Sequence, residues 1–149
     1  MIIEIDQSGK IENTNRNTII AFSNSISKSI FIAGKDKREI QDIFREAEKP
    51  KVFVYRLFAI LIFILIKKYI KQIDQIIIDL EYPGKSSLIK NYLSQEIRKI
   101  RPNFSSEDII FRRIGKKSEA HNIAYLTFKK RIKPNIVAGK GDILNFVIK

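Results

Sequence analysis

The sequence predicts an α/β protein with a single mixed sheet, in the order β-β-β-α(α)-β-α-β-α. Three observations carry this expectation. The chain opens with three short β-rich runs separated by turn-sized breaks, the pattern of an antiparallel meander. Helical periodicity then alternates with short apolar runs, as in parallel strands joined by crossover helices. Prolines and glycines fall at the joins between these segments. At 149 residues the chain can bury one core, and residues 1–149 are expected to form one domain, with no internal repeat or linker to divide them.

Ile2–Gln7 alternates Ile3 and Ile5 with Glu4 and Asp6, a half-buried strand closed by the turn Ser8-Gly9-Lys10. Thr18–Ser23 and Ile26–Ala33 are the next two strands, joined across Asn24-Ser25 and closed by Gly34. Asp36–Glu48 places Ile40, Ile43, Phe44 and Ala47 at helical spacing, and Pro50 breaks the pattern. Val52–Ile73 is a second helix, apolar nearly all round in its middle, so it must be covered by the sheet and a neighbour or by a dimer partner. Gln75–Tyr82 carries Ile76, Ile77, Ile78 and Leu80, too apolar for a one-sided strand, and is expected in the centre of the sheet. Ser86–Ile100 is an amphipathic helix stopped by Pro102, Asp108–Ile114 a strand, and Ser118–Ile132 a last helix ending before Pro134. Ile143–Ile148 is expected as a short strand or ordered arm.

Composition removes several chemistries. There is no Cys, which excludes disulfides, thiolate metal sites and thiol catalysis. A single histidine, His121, leaves a multi-histidine metal centre out of reach. Any bound metal must be held mostly by oxygen, which points to Mg²⁺ or Mn²⁺. Lys and Arg number 28 against 16 Asp and Glu, a net charge of +12. The excess is uneven: +4 over residues 1–74 (13 basic, 9 acidic) and +8 over residues 75–149 (15 basic, 7 acidic). An excess of this size implies an anionic polymer, DNA or RNA, as partner. The apolar run Leu57–Ile66 is ten residues between Arg56 and Lys67-Lys68, half of the roughly 20 that a membrane span needs. Met1-Ile2-Ile3-Glu4-Ile5-Asp6 has no basic stretch like that of a secretory signal. No membrane association and a cytoplasmic location are expected.

Two acidic clusters stand at strand ends. Glu4 and Asp6 share one face of the first strand, and Asp79 and Glu81 share one face of the fourth. Carboxylates there are costly unless they hold a cation or meet a base. In this element order the first and fourth strands can lie side by side, so the clusters would converge into an all-oxygen site for one or two divalent cations. Basic groups crowd the later chain: Arg112, Arg113, Lys116 and Lys117 before the last helix, and Lys129 and Lys130 near its end. Such groups would neutralise phosphates beside a metal site. Ser118 fits an N-cap of the last helix, with His121, Tyr125 and Lys129 along the same stripe. Gly84-Lys85-Ser86 lacks the preceding glycine of a phosphate-binding loop, since Asp79 occupies that position.

The element order, together with Asp6-x-Ser8-Gly9, the Asp79/Glu81 pair and Gly115-Lys116-Lys117-Ser118-Glu119-Ala120-His121, resembles the ribonuclease-H-like superfamily of RuvC-type resolvases, integrases and transposases. The resemblance implies a ribonuclease-H-like fold and metal ligands at three places. Asp6 takes the first-strand position and Asp79 or Glu81 the fourth-strand position, with Asp79 favoured. At the last helix, where many members carry an Asp, this chain offers Glu119 and His121. Glu39, Glu46 and Asp142 are further acids that the resemblance could recruit.

The expected function is a divalent-metal-dependent nuclease or resolvase-like enzyme. Asp6, Asp79, Glu81 and Glu119 would be its metal ligands and His121 a catalytic group. The alternatives are a catalytically inactive nucleic-acid-binding module and a structural homodimer that uses helix 52–73.

Overall fold

The computed structural model describes residues 1–147. Three strands, β1 (Ile2–Ser8), β2 (Thr18–Ser23) and β3 (Ser27–Ile32), form an antiparallel meander. Helix α1 (Gly34–Glu46) leads through a 3₁₀ turn at Pro50 into α2 (Phe53–Ile66). Then come β4 (Gln75–Asp79), α3 (Ser86–Arg98), β5 (Ile109–Arg112), α4 (Glu119–Phe128), β6 (Ile136–Ala138) and α5 (Lys140–Val147). The six strands make one mixed sheet in the order β5-β4-β1-β2-β3-β6. β4 runs parallel to β1, β5 parallel to β4, and β6 parallel to β3 at the far edge.

Strand alternation decides what each face carries. Ile3 and Ile5 of β1 and Ile76 and Ile78 of β4 turn to one face and are at most 1% exposed. There they join Ile40 and Phe44 of α1, Leu93 and Ile97 of α3, Ile143 of α5 and most of α2 in the main core. The opposite face is thinly covered. Among the described residues α4 alone lies across it, over β1, β2 and β3, around the small cluster of Ile19, Ala21 and Ala124.

The long apolar segment resolves differently from its expected form. Regular α-helix ends at Ile66, and Lys67–Gln72 continues as 3₁₀ turns. No residue of α2 is exposed, because α3, α5, β2 and β3 pack around it. The cover expected for this segment is thus supplied within the chain, by the sheet and neighbouring helices. No helix among the described residues is long and apolar enough to cross a membrane.

The tail also differs. Residues expected as a strand or arm form α5, whose Ile143 is fully buried; the sheet instead gains β6, just upstream. Hydrophobic spacing of Ile143 with Phe146 and Val147 fits a helix face, and the short run is ambiguous between the two periods. Ile148, the end of the expected strand, lies outside the described residues. The last long helix stops at Phe128, four residues short of its expected end, because Lys130 adopts a left-handed conformation with φ of 61°.

One buried cation ties the meander to α1. Lys37 is 0% exposed, and its ammonium donates to Lys10 O (3.2 Å), Asn13 O (2.9 Å) and Thr18 Oγ1 (2.9 Å). These bonds clamp the β1–β2 connection onto the helix. Burial lowers the Lys37 pKa to about 8, partly offset by the charge of Glu12. The unfolded chain then binds more protons than the fold between pH 8 and the ordinary lysine value of 10.5, so this group's contribution to stability rises with pH across that window. Denaturant titrations of wild type and Lys37→Met should show the stability difference growing in favour of wild type from pH 8 to 10, and constant below pH 7.

Candidate metal centre

The register of β1 against β4 builds the site. Glu4 lies beside Ile77 and Ile5 beside Ile78, so the next step along both strands sets Asp6 beside Asp79. Both carboxylates occupy the sheet face opposite the main core. Glu81 returns to them after the strand ends, its N–H donating to Asp79 O at 2.9 Å. Asp6, Asp79 and Glu81 each present an oxygen, and these atoms all lie within 4.8 Å of one another. On one octahedral Mg²⁺ at 2.0–2.1 Å, oxygens stand about 2.9 Å apart when cis and about 4.2 Å apart when trans, so the three carboxylates must draw together to share one ion. The carboxylates open into a cavity of about 280 Å³ that is also lined by Arg113, Lys116 and His121.

Each acid is held by a specific contact. Asp6 is 5% exposed; its Oδ1 accepts from the Gln7 N–H at 2.8 Å, and its Oδ2 lies 2.8 Å from His121 Nδ1. An ionised carboxylate only accepts, so Nδ1 carries the hydrogen and Nε2 is left with the lone pair. Asp79 Oδ1 accepts from the Ile114 N–H at 2.8 Å, which draws the loop after β5 over the site.

Burial raises the pKa of Asp6, and the Asp79 charge adds to it, against the lowering effects of the Gln7 N–H and His121. Glu81 is pushed up to about 7, first by burial and then by the charges of Asp79 and Asp6. A cation would relieve this repulsion. The donors are hard oxygens with one available imidazole nitrogen, a set that suits Mg²⁺ or Mn²⁺.

The start of α4 is fastened to the sheet. Ser118 accepts from the Ala120 N–H at 3.2 Å as N-cap and donates to Glu4 Oε1 at 2.9 Å. Glu4 thus serves as an anchor for α4. His121 falls nearly one turn on, at the level of Asp6. Glu119 does not join the carboxylates, contrary to its expected place as a ligand. Residues two apart on a helix point to different sides, and Glu119 lines a separate depression of about 520 Å³ with Glu4, Arg112 and Lys117. The basic quartet divides the same way, Arg113 and Lys116 lining the carboxylate cavity and Arg112 and Lys117 the depression. Lys129 and Lys130 are exposed beyond the far end of α4. Glu39, Glu46 and Asp142 do not join the cluster. Glu39 faces Lys140 at 3.9 Å, and Asp142 caps the Gly139 N–H at 2.8 Å, both where α1 meets α5.

Of two supporting residues, Tyr82 has no marker in the sequence, whereas Gly9 stands in the turn that closes the first strand. The Tyr82 hydroxyl, buried behind Glu81, accepts from Gln7 Nε2 at 3.0 Å and from the Ile11 N–H at 3.3 Å, with Glu12 Oε1 3.3 Å away. It links the residue after Asp6 to the residue after Glu81 across 75 positions of chain. Gly9 makes the tight exit from β1: its φ is +80°, and a Cβ there would stand 2.2 Å from Asn17 O.

Compared with protein-family models, curated proteins and solved structures, the chain matches none. What fold and site define is an α/β protein with an acidic cluster at the carboxyl ends of adjacent parallel strands.

Tyr82→Phe should cost about 1–3 kcal/mol in denaturant unfolding, because it strands the Gln7 amide and the Ile11 N–H in a buried setting. Glu81 binds protons more tightly in the fold than unfolded, so its contribution falls as pH rises from about 4.5 to 7. Glu81→Gln should therefore raise stability by about 1–2 kcal/mol at pH 8 and leave it nearly unchanged at pH 4, measured by thermal melts without divalent cations.

Proposed function

We propose that this chain is a Mg²⁺- or Mn²⁺-dependent nuclease of ribonuclease-H-like fold that hydrolyses phosphodiesters in DNA or RNA. The observation that carries the reading is the meeting of Asp6, Asp79 and Glu81 within 4.8 Å on a chain of net charge +12. The antiparallel meander with β4 and β5 added parallel beside β1 supports it, because that order is the one on which the resemblance rests.

Asp6, Asp79 and Glu81 would hold the cation, which when bound supplies an activated water and charge stabilisation at the departing oxygen. Glu81 ionises fully once the cation balances its neighbours. His121, oriented by Asp6 through Nδ1, offers Nε2 as a ligand or as a proton carrier. Arg113 and Lys116 project into the same cavity and hold the phosphate backbone against the carboxylates.

Mn²⁺ at about 100 times its Kd should stabilise the wild type by about 2.7 kcal/mol in thermal melts. Asp6→Asn and Asp79→Asn should abolish this gain and lower cleavage of labelled oligonucleotides at least about hundredfold. Absence of both the Mn²⁺ effect and cleavage would overturn the reading. Salt-sensitive binding without metal dependence would identify a nucleic-acid-binding module instead.

A further inference from the structure

We propose that the exposed flank of α4 is a track for a single nucleic-acid strand, with an unpaired base stacked on Tyr125 and the adjoining phosphates held by the cations at the helix end. The proposal rests on the nuclease reading, since it extends the same surface away from the carboxylates and defines the form of nucleic acid that reaches them.

His121, Tyr125 and Lys129 are four residues apart and so lie on one flank of α4, each about one 5.4 Å turn from the last. The helix packs through Ala120, Ala124 and Thr127, so Tyr125 is not needed for its seating. Its ring is 50% exposed, on the same helix flank as the imidazole that touches Asp6. Lys129 Nζ stands over one face of the ring, 5.8 Å from its centroid, so a cation adjoins the aromatic surface and a base would stack on the other face or displace the ammonium.

The chain then turns sharply instead of leaving the helix. Lys130 takes a left-handed conformation with φ of 61°, and the Arg131 N–H returns to Leu126 O at 2.9 Å. Glycine usually occupies such a position; here a lysine does, and charge is kept at the bend. The turn gathers Lys129, Lys130, Arg131 and Lys133 at one end of α4, all exposed and none in an ion pair among the described residues.

Free cations next to an exposed aromatic ring are the elements of single-strand binding: charge follows the backbone and the ring takes a base face. A paired base offers no such face, because its neighbours in the duplex already cover it. The strand so held runs along α4 from the basic turn past Tyr125 to His121 and the carboxylates.

The test is fluorescence anisotropy of a short labelled oligothymidine strand and of a matched duplex, in EDTA, so that neither metal nor cleavage enters. Tyr125→Ala and Tyr125→Leu should weaken single-strand binding at least about fivefold, with duplex binding changed less than about twofold. Tyr125→Phe should bind the strand as wild type does. Thermal melts of the variants should match wild type, since the ring is half exposed. Tyr125→Leu binding like wild type, equal losses on strand and duplex, or no single-strand binding by wild type would each overturn the proposal. If the Tyr125 effect holds while Mn²⁺ neither stabilises the protein nor supports cleavage, the track stands and the nuclease reading falls.

Discussion

Parallel pairing of β1 with β4 in one register is the constraint on which the rest of the molecule depends. A slip of one residue would exchange the faces of every side chain on a strand. Ile3, Ile5, Ile76 and Ile78 resist that slip because all four are buried in the main core. The Asp74 N–H, donating to Met1 O at 2.7 Å, anchors the start of the pair. With the isoleucines fixed on one side, Asp6 and Asp79 have no choice but to meet on the other. The hydrophobic core thus sets the geometry of the acids, although it does not touch them.

That arrangement is unfavourable in isolation. Three acids share a small cavity, and burial together with mutual repulsion raises the pKa of Asp6 and pushes that of Glu81 up to about 7. The opposite side of the sheet offsets the cost, where four helices close over a continuous apolar cluster. Local polar clamps keep the strained end in shape: Lys37 on the β1–β2 connection, Tyr82 between Gln7 and Ile11, and Ile114 on Asp79. Each joins segments distant in the chain, so tertiary contacts shape this end of the sheet alongside the local bond from the Gln7 N–H to Asp6.

How much was legible in the sequence follows from the range of the interactions involved. The alternation in β1, the apolar run of β4 and the amphipathic helices are local signals, and the strands and helices appear close to where those signals put them. The pairing of β1 with β4 was accessible too, because few sheet orders suit three hairpin strands followed by alternating elements. Glu119 is the acid that the resemblance implies at the start of the last helix, but helix geometry turns residues 119 and 121 to different sides, and Glu119 lines the neighbouring depression. The burial of Lys37 and the link from Tyr82 to Gln7 left no trace in composition or spacing. A lysine on a helix and a tyrosine after a strand are ordinary until the fold brings carbonyls and amides to them. The tail was misread because a short apolar run fits both periods, and only its docking on α1 and α2 decides between them.

The thin cover on one face of the sheet divides the site into parts of unequal permanence. Asp6, Asp79 and Glu81 belong to the sheet and its immediate turn, so they persist as long as the main core does. His121 and Tyr125 ride on α4, which seats Ala124 on Ile19 and Ala21 with Phe31, Ile123 and Phe128 packed around them, and which Ser118 fastens at its start to Glu4. A helix whose apolar cluster is far smaller than the main core can lift from the sheet at a fraction of the free energy of global unfolding. The acidic half of the site is in that sense a fixture of the protein, and the half that carries His121 is a hinged panel beside it. Amide exchange along Glu119–Phe128 would proceed through that opening, well before the strands beneath exchange their own.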